Sequence, residues 1–220
     1  MRTAFWLLLL SLAAVAYLRF APPLFTTFML RAKVAAVLSG QDLDIDYHWV
    51  GWQRIAPAAA LAVVAAEDQR FPAHHGFDFK AMRAAVAAGN RGGKLRGAST
   101  ISQQVAKNLF LWPGRSWLRK GIEAYFTILL EALLPKRRIL EIYLNTAELA
   151  PGVYGVEAAA QRFFDKPAAQ LTLNDAAQLA AVLPNPRRLR LDRPSPYVMT
   201  RAARIARAVA RLGPGYLRDL

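Results

Sequence analysis

The chain has 220 residues, no cysteine and only three histidines. Without thiols it forms no disulfide, no thiolate nucleophile and no Cys-ligated zinc or iron-sulfur site. Acidic residues are also scarce: 15 Asp and Glu stand against 29 Lys and Arg, which gives a net charge of +14. An excess of positive charge favours a polyanionic partner. The length suits one sizeable domain better than two.

Several catalytic signatures are missing. No serine is followed three positions later by lysine, and neither Lys-Thr-Gly nor Gly-x-Ser-x-Gly occurs, which disfavours acyl transfer by a serine nucleophile. There is no Gly-x-x-x-x-Gly-Lys-Ser/Thr loop for a nucleoside triphosphate. His74, His75 and Asp78 lack the spacing of a zinc-binding helix. We therefore expect no residues dedicated to a metal, and structural roles for His75 and Asp78.

The amino terminus is strongly apolar. Residues 4–17 carry no charge, and the apolar character resumes after Arg19. The first stretch is shorter than the roughly 20 residues of a spanning helix, so Arg19 would have to snorkel at the boundary. We predict a transmembrane anchor with an outer-leaflet segment over residues 1–30 and one domain over 31–220. A cleaved secretory signal, with small residues at 14–16, is the alternative.

The remainder has helical periodicity, and only residues 41–55 alternate like a strand. The expected fold class is therefore all-α. One Ala-rich helix beginning near Pro57 ends in Glu67 and Asp68, whose charges oppose its dipole. This makes a functional reason for the two carboxylates more attractive. Four glycines and three basic residues in 89–99 predict a mobile basic loop, a candidate lid.

Glu67 and Glu123 are the candidate catalytic carboxylates, because each lies in a long apolar helical context. In sugar transfer one carboxylate can act as the base on an attacking hydroxyl. The cations Lys107, Arg119 and Lys120 lie nearby in sequence and suit a phosphate or diphosphate. The structural alternative is that Glu123 only pairs with Arg119 one turn away and that Glu67 is a solvated helix end.

Four segments in order resemble the motifs of the peptidoglycan glycosyltransferases: EDQRFPAHHG (67–76), GASTISQQVAKNLFL (97–111), RKGIEAYFTILLEALLPKRRILEIYLN (119–145) and GVYGVEAAAQRFF (152–164). The match covers about residues 55–186. The size, the apolar amino terminus and the missing transpeptidase signatures resemble the monofunctional members. The resemblance implies a lysozyme-like α fold with two lobes around a cleft. It also implies polymerisation of lipid II into β-1,4 glycan, with inversion and release of undecaprenyl diphosphate.

The resemblance assigns roles to individual residues. Glu67 matches the general base for the acceptor 4-hydroxyl, and Glu123 is the second catalytic carboxylate. A divalent ion, with magnesium expected, is implied at the diphosphate. The sequence departs from the pattern in having Ser102 where threonine is usual, and Leu149-Ala150 before the last motif. The positions matching substrate-binding residues are Asp68, Phe71, His74, Ser99, Thr100, Gln104, Lys107, Arg119 and Lys120.

The implied partners are lipid II, the growing glycan strand, the cytoplasmic membrane and division or elongation proteins, with no nucleic acid. The catalytic domain is expected on the periplasmic side of a bacterial inner membrane, held by a single pass. A lytic glycan-cleaving enzyme and a basic, membrane-anchored nucleic-acid-binding protein are the alternatives. The Arg-rich tail, residues 187–220, is not explained by the four motifs and could be a membrane-surface helix or a solvated end.

Overall fold

The computed structural model describes residues 2–89, 99–114 and 116–220. The predicted basic loop over 89–99 lies outside the described residues, apart from its two end positions. The described residues are mostly helical, as predicted. They form ten α-helices: α1 (Arg2–Tyr17), α2 (Thr27–Leu38), α3 (Pro57–Glu67), α4 (Phe79–Gly89), α5 (Ile101–Phe110), α6 (Trp117–Leu133), α7 (Lys136–Thr146), α8 (Val156–Phe164), α9 (Leu173–Val182) and α10 (Pro196–Leu212).

Local sequence signals explain where the helices near the candidate carboxylates begin and end. Pro57 occupies the first turn of α3, where its missing N–H is not needed. Thr100 caps α5 in a reciprocal capping box with Gln103. Ser116 caps α6, and Leu134 ends it immediately before a proline that cannot continue the helix. These signals place Glu67 at the end of α3 and the polar residues of the second motif at the start of α5.

The helices pack in two groups. In one, α3, α9 and α10 contact one another, and in the other α5 contacts both α6 and α7. The two groups meet where α3 also touches α7. The last residue of α3, Glu67, contacts Gln104 of α5 and Arg201 of α10, so it lies at this junction.

A small sheet accompanies the helices and was not predicted. Its strands are β1 (Asp46–Tyr47), β2 (Glu148–Ala150) and β3 (Val153–Tyr154), in the order β1-β3-β2. Strand β1 pairs parallel to β3, and β2 pairs antiparallel to β3 with an irregular register. The strand-like stretch 41–55 thus contributes only two residues to the sheet, and its partners come from the last motif. The all-α expectation holds for the fold class but missed this element.

The apolar amino terminus forms α1 and α2. Helix α1 packs against α6 through Ser11, whose hydroxyl lies 2.6 Å from the Tyr125 hydroxyl. Arg19 donates to the Leu133 carbonyl at 2.8 Å. Within the part of the chain that the structure describes, no helix combines the length and the apolar character needed to cross a bilayer. The predicted spanning helix is therefore not confirmed, and the boundary at residue 30 stays a prediction.

Candidate active site between two helix groups

Glu67 lies at the junction of the two helix groups and is held on both carboxylate oxygens. The Gln104 side-chain amide donates to Oε2 at 3.0 Å, and Nη2 of Arg201 lies 3.4 Å from Oε1. Only 15% of the Glu67 side chain is exposed. Burial raises the pKa of Glu67, while Gln104, Arg201 and the charge of Lys107 oppose that rise. The carboxylate is thus desolvated yet supported as an anion, which suits a general base.

Tyr143 determines which way the Gln104 amide points. Its hydroxyl donates to Oε1 of Gln104 at 3.1 Å, so the amide NH₂ is left to face Glu67. Burial raises the pKa of Tyr143 well above its ordinary value, and the charges of Glu67 and Asp68 act in the same direction. The phenol therefore remains a protonated donor. Tyr143 was not among the predicted site residues, although it belongs to the third motif.

A second carboxylate, Glu123, is enclosed by cations. It lies on α6 and is almost completely buried. Nη1 of Arg119 lies 3.3 Å from one of its oxygens, and Nζ of Lys120 contacts the other. The Nε of Arg119 is buried and has no hydrogen-bond partner among the described groups. Glu123 therefore orients two cations, and its contacts favour this role over proton transfer.

The negative charges of both carboxylates, Glu123 and Glu67, act on the side-chain amino group of Lys107. Burial lowers its pKa, and Glu123 and Glu67 counteract that effect. No carboxylate of the described chain forms a salt bridge with Lys107, whose Nζ instead lies 5.6 Å from the Phe28 ring centroid. An amino group without a fixed anion is available to a negatively charged ligand. The predicted cations Lys107, Arg119 and Lys120 thus form one positively charged region beside Glu67.

Two cavities flank the Glu67–Gln104 hydrogen bond. One, of about 250 Å³, is lined by Glu67 with Asp68, Ser99 and Thr100 among others. The other, of about 180 Å³, is lined by Gln104 and Lys107 with Tyr143 and Tyr154 among others. The candidate base and Lys107 therefore border different cavities, one on the Glu67 side and one on the Gln104 side of this hydrogen bond.

Asp68 and His74 are buried and bond to each other. Both Asp68 oxygens lie 3.0 Å from Nε2 of His74, and one accepts the Ile101 N–H at 3.0 Å. This carboxylate thereby ties the end of α3 to the start of α5. His74 Nδ1 has no partner among the described residues. Asp68 and His74 fasten the wall of the site rather than present free groups to it.

The remaining predicted binding residues differ in accessibility. Phe71 is completely buried, with Nζ of Lys136 4.4 Å from its ring centroid. The Thr100 hydroxyl donates to the Gly76 carbonyl at 2.6 Å, so it serves the loop and the helix cap. Ser99 is exposed at the edge of the larger cavity. Of these three, Ser99 is the side chain free to meet a ligand. His75 is exposed, and Asp78 pairs with Arg70.

A resident metal site is not formed by the described side chains. Among them no three His, Asp or Glu residues come together with suitable geometry. Both oxygens of Glu123 are already paired with Arg119 and Lys120. The donor set therefore does not fit a magnesium ion held by the protein alone.

Comparison with known proteins identifies the family. The family model described as Transglycosylase matches residues 36–210. The chain belongs to the transglycosylase family. A protein named biosynthetic peptidoglycan transglycosylase from Pseudomonas aeruginosa is 50% identical over 94% of this chain and 90% of its own length. Relatives of the same name are 50% identical in Pseudomonas entomophila, over 100% of this chain and 93% of that protein, and 52% identical in Xylella fastidiosa, over 97% and 88%.

These comparisons confirm the resemblance and the glycosyltransferase class, and they favour the enzyme over the nucleic-acid-binding alternative. The family match also runs to residue 210, beyond the 55–186 covered by the four motifs. It therefore includes nearly all of α10, the helix that carries Arg201. Most of what looked like an unexplained Arg-rich tail belongs to the transglycosylase domain.

Proposed function

We propose that this transglycosylase polymerises lipid II into linear β-1,4 glycan strands and releases undecaprenyl diphosphate with inversion at the donor anomeric carbon. The names of its relatives support a peptidoglycan glycosyltransferase acting at the cell envelope. The observation that carries the proposal is the arrangement of the site. A desolvated carboxylate, Glu67, lies next to a region of cations on the other side of Gln104.

The chemistry follows from this arrangement. The 4-hydroxyl oxygen of the acceptor N-acetylglucosamine attacks the donor anomeric carbon while Glu67 takes its proton. A new carbon-oxygen bond forms as the bond to the diphosphate breaks, and its electron pair leaves with the diphosphate. Lys107 and Arg119 lie where they can stabilise the negative charge of that leaving group. A base on one face and cations on the other are what inversion requires.

The cations argue against a lytic enzyme. Cleavage of a finished glycan releases a sugar hydroxyl rather than a diphosphate, so Lys107, Arg119 and Lys120 would have no leaving group to stabilise. In the described structure Arg119 and Lys120 pair with one buried carboxylate, Glu123, while Lys107 lies near them without a salt bridge. Burying these charges costs desolvation free energy, which a function would explain.

Incubation of the detergent-solubilised protein with labelled lipid II, and separately with finished cell wall, tests the proposal. We expect a polymer that lysozyme digests from lipid II, and no soluble fragments from the wall. Release of fragments from the wall without polymer from lipid II would identify a lytic enzyme instead. A catalytically dead but folded sample, the Glu67→Gln variant, serves as the control for both substrates.

The involvement of magnesium stays a proposal. The described side chains do not by themselves surround an ion, so most of the ligands would have to be diphosphate oxygens and water, which Mg²⁺ accepts readily. The steps above assign no role to the ion.

We also propose that the protein works from the periplasmic face of the cytoplasmic membrane. The exposed apolar side chains of α1 support a membrane location for the amino terminus, because a run of large apolar side chains over residues 5–10 is left open to the surroundings. The two helix groups around Glu67 support the lysozyme-like, two-lobed fold. Recruitment by division or elongation proteins remains a prediction.

A further inference from the structure

The carboxyl-terminal helix reaches the candidate base. Arg201 lies in α10, 134 residues after Glu67, and its Nη2 is 3.4 Å from Oε1 of that carboxylate. Only 26% of the Arg201 side chain and 15% of the Glu67 side chain are exposed. This is therefore a partly buried ion pair at the site itself, not a surface contact. None of the four sequence motifs includes Arg201.

The helix that carries Arg201 is firmly held. Ser195 caps α10, and Val198, Ala202 and Ile205 are buried against the neighbouring helices α9 and α3. Because α3 ends at Glu67, the helix that positions the carboxylate and the helix that positions the guanidinium pack on each other directly. The distance between the two charges is set by that packing.

Arg201 also has an unused donor. Its Nε is buried and has no hydrogen-bond partner among the described groups. A guanidinium that served only to hold the fold together would be expected to satisfy its buried donors. One donor faces Glu67 while another is unpaired, so the group has capacity to bind at the site beyond this one contact.

We propose that Arg201 is a positioning residue for the general base: it holds Glu67 ionised and fixes one carboxylate oxygen while Gln104 fixes the other. The proposal rests on the proposed function, since it assigns Glu67 the role of base. Arg201 does not touch the reacting atoms in this arrangement, and it acts through Glu67.

The other groups around Glu67 make Arg201 the decisive cation. On α5, Gln104 donates a hydrogen bond to Glu67 from a neutral amide. Lys107, on the same helix, lowers the pKa of Glu67 through its charge without forming a salt bridge to it. From α7, Tyr143 contributes a neutral phenol. The adjacent Asp68 contributes a negative charge that raises the pKa of Glu67. Arg201 is therefore the only cation in direct contact with Glu67 among the described residues, and its removal raises the pKa of that carboxyl further.

The test compares Arg201→Gln and Arg201→Lys with Arg204→Gln. Arg204 lies on the same helix and is exposed. Its replacement by glutamine removes the same charge, but away from the site. In each full-length, detergent-solubilised protein, the side-chain carboxyl of Glu67 is titrated by ¹³C NMR after selective glutamate labelling. Its resonance is assigned by its loss in Glu67→Gln. The pH profile of lipid II polymerisation is measured on the same samples.

We expect Glu67 to titrate at a higher pH in Arg201→Gln than in wild type, at an intermediate pH in Arg201→Lys, and unchanged in Arg204→Gln. The acid limb of kcat/KM moves in the same direction, with a loss on the order of tenfold on the acid side. The proposal would be overturned if Glu67 titrated in Arg201→Gln at the same pH as in wild type. It would also be overturned if Arg204→Gln shifted the titration of Glu67 as much as Arg201→Gln does. If the NMR shift occurs while wild type makes no polymer, the electrostatic control of Glu67 by Arg201 stands and the proposed function fails.

Discussion

At the scale of single residues, the site depends on which groups hold Glu67 and in what orientation. The residues Glu67, Gln104 and Lys107 could be predicted, because they stand in recognisable motifs and their chemistry suits sugar transfer. The contacts of the two groups that orient them could not be predicted, although Tyr143 itself stands in the third motif. Tyr143 comes from 39 residues beyond Gln104, and Arg201 from 134 residues beyond Glu67. Neither distance leaves a local signal in the sequence.

Replacement of Tyr143 by phenylalanine tests the orienting hydrogen bond. The change leaves Oε1 of Gln104 without its donor and frees the amide to rotate away from Glu67. An unsatisfied buried acceptor costs about 1–3 kcal/mol. We expect lower stability and a several-fold lower kcat, with little change in KM. Tyr197→Phe, at an exposed position of α10, is the matched control. Full activity in Tyr143→Phe would show that the phenol does not orient the amide.

Glu123 shows how a residue can be found by sequence while its role is not. Its pairing with Arg119 one turn away was foreseen as the structural alternative, and the structure has that pair. The sequence could not show that Lys120 joins it or that the carboxylate is almost completely buried. Burial indicates that Glu123 orients the two cations, because a desolvated anion between Arg119 and Lys120 holds both in place.

At the scale of secondary structure, helices could be predicted much better than strands. Pro57 is a local signal and starts α3 where predicted, and the capping box of Thr100 with Gln103 is a local signal of the same kind. The strands have only two or three residues each, and β2 and β3 are too short for alternation to be detected. The sheet exists because distant segments meet, and the turn between β3 and α8 depends on Gly155.

Gly155 is the described glycine at which an added side chain would meet the closest neighbour. Its φ is +84°, and a Cβ there would lie 2.3 Å from the carbonyl oxygen of Asn145. We expect Gly155→Ala to lower the free energy of unfolding by about 3 kcal/mol. Gly121→Ala, in α6 with open space around it, should instead raise stability by about 0.5–1 kcal/mol. Urea unfolding of both variants measures this, and equal stabilities would contradict the account.

At the scale of the whole molecule, the segment before and within α2 links an apolar surface to the site. The Thr27 hydroxyl lies 3.0 Å from the Asn108 carbonyl and 2.8 Å from that of Leu111, which fastens the start of α2 to the end of α5. Phe28 lies against Lys107. Deletion of this segment would therefore disturb the cationic region itself. The outward-facing apolar side chains of the same segment up to residue 30 are Phe20, Leu24, Phe25 and Leu30.

Serine at these four positions tests whether the surface serves the lipid tail of the substrate. The contacts of Thr27 and Phe28 are left intact, so the site keeps its geometry. We expect activity on long-tailed lipid II to fall much more than activity on a short-tailed analogue. The double variant Tyr197→Ser with Met199→Ser, exposed apolar positions of α10, is the control. Equal loss on both substrates would refute a role in binding the tail.

The most direct test of the central claim is the rate of lipid II polymerisation by Glu67→Gln beside wild type. Glutamine keeps the size of the side chain and can still bond to Gln104, and it removes a buried charge, so the variant should fold with unchanged or higher thermal stability. We expect a lysozyme-digestible polymer from wild type and a loss of roughly 10²- to 10⁴-fold or more in the variant. Polymerisation by Glu67→Gln at the wild-type rate would contradict the assignment of Glu67 as the base.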